Sequence, residues 1–182
     1  MNTRFFDCRR FIARILQERK VPRLLLLLVF LACTSCAMNH GKPIAKITYS
    51  GVERYQDTRI YQVSFKSDVD VLDLFKSRIS QTLLCSLNGD TDFSVAHRID
   101  QYAEGMIERK SSANEFKADL LFSQVKDASS DSVMSSDQMK AVLQQKKTIV
   151  CKVRVNAYSY KTYFSESMEI PSADLLREVG NY

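Results

Sequence analysis

Tryptophan is absent from this chain, and histidine and glycine are scarce: 182 residues include two His and five Gly. His40 and His97 stand alone in the sequence. Two isolated histidines do not build a zinc site of the ordinary kind, which takes four His, Cys or carboxylate ligands. The five glycines form no phosphate-cradling loop and no dinucleotide fingerprint. H-E-x-x-H and G-x-S-x-G are also missing. No metal and no cofactor is therefore expected. Ser123-Gln124-Val125-Lys126 matches the S-x-x-K nucleophile motif, but it lacks the helix and the two partner motifs that chemistry needs. Asp90 and Asp92 with Asn88 offer oxygens of the kind Ca²⁺ takes, but Asn88-Gly89-Asp90 is first of all a turn.

A basic face is missing too. The net charge of +5 belongs entirely to residues 1–36, which hold seven Lys and Arg against two Asp and Glu. Beyond Cys36 the chain carries 19 basic and 19 acidic residues. Nucleic-acid binding, which shows as a basic surface, is not expected of that part.

What is present begins at Val21–Cys36, VPRLLLLLVFLACTSC. Arg23 precedes an unbroken apolar run, and small residues with two cysteines follow it. A positive flank, a short apolar core and a small-residue zone make a secretory signal. The run is shorter than the roughly 20 apolar residues a membrane-spanning helix needs. Five consecutive leucines leave no polar face, which disfavours a buried helix of a small domain.

At these residues the chain resembles bacterial lipoprotein precursors. Phe30-Leu31-Ala32-Cys33 and Cys33-Thr34-Ser35-Cys36 both have the form of the box whose final cysteine receives a diacylglycerol. The resemblance implies lipidation at Cys36, with Cys33 as the alternative. An ordinary cleaved signal is the other reading. Thiol parity favours Cys36, because its use leaves Cys85 and Cys151 as an even pair. The residue after the cysteine is Ala37 (or Thr34), not Asp. By the family's sorting rule that implies the outer membrane, facing the periplasm. Membrane attachment through lipid and a protein partner in the envelope follow as expectations.

Residues 1–20 are a basic preface with Phe5, Phe6, Phe11, Ile12, Ile15 and Leu16 at helical spacing. They read as a surface-lying amphipathic helix, as a long leading part of the signal, or as untranslated sequence before a start at Val21. The organisation expected is 1–36 preface and signal, 37–43 tether, and 44–182 a single periplasmic-side domain.

Within that domain, 44–53 and 58–66 read as a strand pair, with Gly51 ending or bulging the first. Residues 67–87 read as the main helix, from Leu72, Phe75, Ile79 and Leu83 and the caps Asp68 or Asp70. Asn88-Gly89 would stop it. Residues 93–110 and 115–126 alternate as strands, with a bulge suggested at Gly105. A polar loop, 127–136, and a short helix, 137–147, follow; 148–157 and 158–170 are strands and 173–179 a last helix. Short connections favour antiparallel pairing. The fold expected is α+β, one antiparallel sheet with the 67–87 helix packed on it; a β-sandwich with an added helix is the alternative.

An exported chain favours a Cys85–Cys151 disulfide, placed here between the main helix and a central strand. Two buried free thiols are the plainer alternative. Tyr158, Tyr160, Tyr163 and Phe164 form the densest aromatic group, readable as a contact surface or as cross-strand packing. The function expected is a non-catalytic binding domain on a lipid anchor. A small envelope hydrolase using carboxylates or a serine is the alternative, to be marked by a polar cleft around His97 or clustered Asp residues.

Overall fold

The computed structural model describes residues 42–76, 78–110, 114–158 and 161–180. The preface, the signal stretch, Cys33, Cys36, most of the tether and Tyr160 lie outside them.

Among the described residues nine strands form one antiparallel sheet. They are β1 (Ile47–Arg54), β2 (Ile60–Ser67), β3 (Arg78–Ser86), β4 (Gln101–Arg109), β5 (Glu115–Val125), β6 (Asp131–Val133), β7 (Thr148–Ala157), β8 (Lys161–Phe164) and β9 (Met168–Pro171). The order across the sheet is β1-β2-β5-β4-β3-β7-β8, with β6 on β5 and β9 on β7. The sheet curls, and residues before β1 bond to the end of β8 and the residues that follow it: Ile44 N donates to Phe164 O at 2.9 Å and Glu166 N to Ala45 O at 2.8 Å. The strands make a single continuous sheet, not two facing ones.

Strand periodicity puts alternate residues on opposite faces. On the inner face Tyr61, Phe65, Phe116, Leu120, Phe122, Leu83, Ile149 and Val153 are buried together. Tyr61 meets Phe122 edge-on at 5.3 Å and Phe65 stacks with Phe116 at 5.7 Å. Two short helices, α1 (Ser136–Leu143) and α2 (Ser172–Gly180), add Met139, Leu143, Leu175 and Val179 to this core. Ser135 caps α1 in a reciprocal box with Gln138.

The expected 67–87 helix is not there. Residues 71–74 make a turn, begun where Asp70 Oδ1 accepts from Leu72 N, and 78–86 is strand β3. The capping signal was real but starts only a turn. β3 is buried on both faces from Gln81 to Ser86. Leu83 and Cys85 face the inner core, while Leu84 joins a second cluster on the outer face with Phe93 and Ile99. A strand covered on both sides shows a continuous apolar run, which periodicity does not distinguish from a helix. The described domain is therefore sheet-dominated: the two short helices expected near 137–147 and 173–179 are present, and the large one is not.

Residues 93–100, expected as strand, form a loop that lies over the outer face, and β4 starts at Gln101. Phe93 and Ile99 turn inward, which mimics strand alternation. The expected final strand divides into β8 and β9 around Ser165. Ser165 Oγ accepts from Val153 N at 2.9 Å. The β1–β2 register shifts between Tyr49 and Gly51, the bulge foreseen there. At Gly105 the β4–β5 register is the same on both sides, so no residue is inserted; pairing lapses at 105–106 instead.

Because every pairing is antiparallel, the connections fall at two ends. The near end holds the start of β1, the segments joining β2 to β3 and β4 to β5, and the β7–β8 connection. The far end holds the β1–β2 turn, the 87–100 loop and the β5–β6 turn.

Candidate binding cleft on the outer face

The loop 93–99 does not close fully over the sheet. Between them is a cleft of about 410 Å³. Its apolar floor is Leu84 of β3, Phe93 and Ile99 of the loop, and Phe164 of β8. Phe93 and Phe164 meet edge-to-face at 6.5 Å, and Lys152 Nζ stands 5.3 Å from the centre of the Phe93 ring.

The polar rim comes from outward positions on separate strands, held by register. Leu84 faces Glu104 across β3–β4, and Arg154 faces Phe164 across β7–β8. Arg154 Nη2 donates to Glu104 Oε1. Asn156 Nδ2 donates to Ser80 Oγ at 3.0 Å, and its Oδ1 accepts from Thr162 Oγ1 at 2.9 Å. Arg98 fastens the loop to the β5–β6 turn: it donates to Asp127 O at 2.9 Å, Ala128 O at 2.8 Å and Asp131 Oδ1 at 2.5 Å. Tyr102 Oη donates to the other Asp131 oxygen at 2.8 Å. Partial burial and that bond to a carboxylate push the Tyr102 phenol up to about 12.

Three successive side-chain turns shape the loop's first half. Asn88, Asp90 and Asp92 each accept from the backbone N–H two residues on, at 3.1, 2.9 and 2.8 Å. Gly89, at φ +83°, takes the left-handed conformation expected of it, but after a strand and not after a helix. His97 Nε2 pairs with Asp90 Oδ2. This bond holds the Asp90 carboxyl below its usual range, helped by the Asp92 N–H, and it raises His97 above an ordinary imidazole.

The signs fix a pH window for the contact. A raised His97 favours the pair while the imidazole is protonated, and that support is lost as pH rises through its folded value. A lowered Asp90 favours the pair above the ordinary carboxylate range near 3.8, and that support is lost as pH falls through its lowered value. An NMR titration is expected to place His97 above 6.5, and Asp90→Asn to return it toward that value. A His97 midpoint unmoved by Asp90→Asn would show that the pair does not form in solution.

The aromatic group named in the sequence is split by the pleat. Phe164 faces the cleft, Tyr163 faces inward and stacks on Phe75 at 4.6 Å, and Tyr158 stands exposed at the end of β7. Ser123 of the S-x-x-K match is buried within β5. Cys85 and Cys151 are bonded, but as cross-strand partners of β3 and β7 with Cα atoms 4.0 Å apart. Among the described residues no group of His, Cys, Asp and Glu is placed to hold a metal ion. No helix among them is long and apolar enough to cross a membrane.

Compared with protein-family models, curated proteins and solved structures, the chain matches none. Sequence reading missed Arg98, Tyr102, Glu104, Asp131 and Arg154. Only one signal was available for two of them: Glu104 and Arg154 occupy solvent-parity positions of well-patterned strands. Their meeting depends on β4 and β7 flanking β3, which nothing local announces.

Proposed function

We propose that this chain is a lipid-anchored envelope lipoprotein whose sheet domain binds a protein or another envelope component through the outer-face cleft. The signal-like stretch Val21–Cys36 supports the anchor, at Cys36 or Cys33. The observation that carries binding is the cleft itself: an apolar floor of Leu84, Phe93 and Phe164 under a fixed polar rim. Recognition sites are commonly of this volume and makeup. The rim's ionisable groups are held against each other, as Arg154 with Glu104, Arg98 with Asp131, and His97 with Asp90. Such pairs fix a shape for recognition.

The test has two parts. Intact mass of protein extracted from membranes is expected to show an acylated N-terminal cysteine. A photo-crosslinking residue at Val95, exposed on the cleft wall, is expected to capture an envelope component. The same residue at Tyr55 is expected to capture nothing, and Phe164→Ser to abolish the Val95 adduct. An unmodified mass removes the anchor; a Val95 adduct indifferent to Phe164→Ser removes the cleft. His97 lines this polar-rimmed cleft, the mark expected of a small envelope hydrolase, and with the His97–Asp90 pair it favours that second reading, which requires turnover of an envelope ester or amide that His97→Ala abolishes.

A further inference from the structure

We propose that the near end of the domain rests on an anionic phospholipid surface, with Tyr158 and Ile79 at headgroup level and Lys42, Lys46, Lys76 and Lys161 facing the phosphates. The inference builds on the lipid-anchor reading.

Two large apolar side chains are exposed at this end without a packing reason. Tyr158, just beyond β7, is 67% exposed and Ile79 is 63% exposed. They are neighbours by register: Arg78 pairs with Ala157 and Ser80 with Asn156, so Ile79 is the extra residue of a bulge one step from Tyr158. The bulge takes Ile79 out of the inner–outer alternation that buries the rest of β3. An aromatic ring with a polar tip beside an aliphatic residue suits the boundary between headgroups and acyl chains.

Charge is segregated to match. The domain is balanced overall, but the described residues of the near end, 42–47, 65–76, 78, 108–110, 114–116, 157–158 and 161, hold eight Lys and Arg against five Asp and Glu. Four of those acids are in ion pairs: Asp70 with Arg109, Asp73 with Arg78, Glu115 with Lys66 and Glu108 with Lys117. Asp68 accepts from the Lys46 backbone N–H at 2.8 Å. Among the described residues of this end, Lys42, Lys46, Lys76, Lys110 and Lys161 have no carboxylate partner; Lys110 donates to Ser64 Oγ instead. The far-end connections 54–60, 87–100 and 125–131 hold four Lys and Arg against six Asp and Glu, and Lys146 and Lys147 precede β7 at the same end. Clustered lysines beside apolar side chains bind anionic lipid surfaces.

The path of the chain supports this end as the one that meets the membrane. The chain enters the sheet at the near end, where Ile47 pairs with Ser67. Five residues separate Cys36 from Lys42. Fully extended, that length reaches roughly 20 Å, or roughly 30 Å from Cys33. A lipid at either cysteine therefore keeps the near end within a domain's width of the bilayer.

The absence of Trp makes a clean reporter possible. The full chain carrying Tyr158→Trp would be extracted from membranes and reconstituted into phosphatidylglycerol-containing and into pure phosphatidylcholine vesicles. The emission is expected to shift to the blue, and to be quenched by lipids brominated near the headgroup, in the anionic vesicles. The effect is expected to shrink in neutral vesicles and at high salt, and to vanish with Lys76→Glu/Lys161→Glu. Tyr55→Trp, at the far end, is expected to stay water-like in both. Water-like emission of the Tyr158→Trp protein in anionic vesicles overturns the proposal, as does equal quenching of the Tyr55→Trp protein. A shift seen only with envelope proteins present also overturns it. Intact mass of the same preparation separates the two readings: an acylated chain with a water-like reporter loses only the contact, and a quenched reporter on an unacylated chain loses only the anchor.

Discussion

Replacing both Cys85 and Cys151 by alanine is expected to lower the unfolding free energy by about 4 kcal/mol. The bridge closes a separation of 66 residues, which includes β4, β5, β6 and α1. Crosslinking so long a loop removes much of the freedom of the unfolded chain. In the folded state the bond adds little order, because β3 and β7 are already paired on both sides of it. The midpoint of thermal unfolding is expected to fall by roughly 10–15 °C for a domain of this size. Both cysteines are fully buried, so thiol reductant is expected to leave the native domain bonded and to act as it opens. Denaturant curves of the double variant, and of the native chain with and without reductant, measure this. A double variant that unfolds at the native denaturant concentration would show that the bridge does not constrain the unfolded chain.

Gly105→Ala is expected to cost about 3 kcal/mol or more, in the upper range of overpacking substitutions. A Cβ at Gly105 would lie 2.1 Å from Asp119 O and 2.6 Å from the carbonyl carbon of the same residue. The obstacle is backbone in the neighbouring strand, so no side-chain rotation relieves it. Nor is β4 free to move away, because it is held between β5 and β3, with Gly105 paired to Leu83. Relief requires β4 and β5 to separate beside the Arg154–Glu104 pair that edges the cleft. Gly105→Ala is therefore expected to reduce crosslinking from Val95 along with stability. Gly51→Ala is the control, since a Cβ there meets nothing within 4 Å. Equal midpoints for the Gly51→Ala and Gly105→Ala proteins would contradict the close approach of β4 to β5.

Glycine's role at 105 was only half visible in sequence. A glycine inside an alternating strand signals either a bulge or a close approach of another backbone. The choice between them needs the neighbouring strand, and Asp119 is not local to Gly105. The loop at 93–99 misled for a related reason. Phe93 and Ile99 point inward at the spacing of a strand because the loop packs on a sheet face that itself alternates.

Residue patterning alone was enough for the elements whose two faces differ. β2, β5 and β7 have one face in the core and one toward water, so their alternation is written in the side chains. The short helices fall close to the segments read as helix from polar composition and cap signals, although Ser135, not Ser136 or Asp137, caps α1. The expectation of export, with thiol parity, selected the Cys85–Cys151 bond. Tertiary structure alone decided that β3 is a strand, because burial on both faces erases periodicity. It alone brought Arg98 to Asp131 and Arg154 to Glu104, and it alone set an excess of basic residues at the near end of a charge-balanced domain. Sequence patterns record how one element faces core and water; which elements become neighbours depends on strand order, set by the packing of the whole core at once.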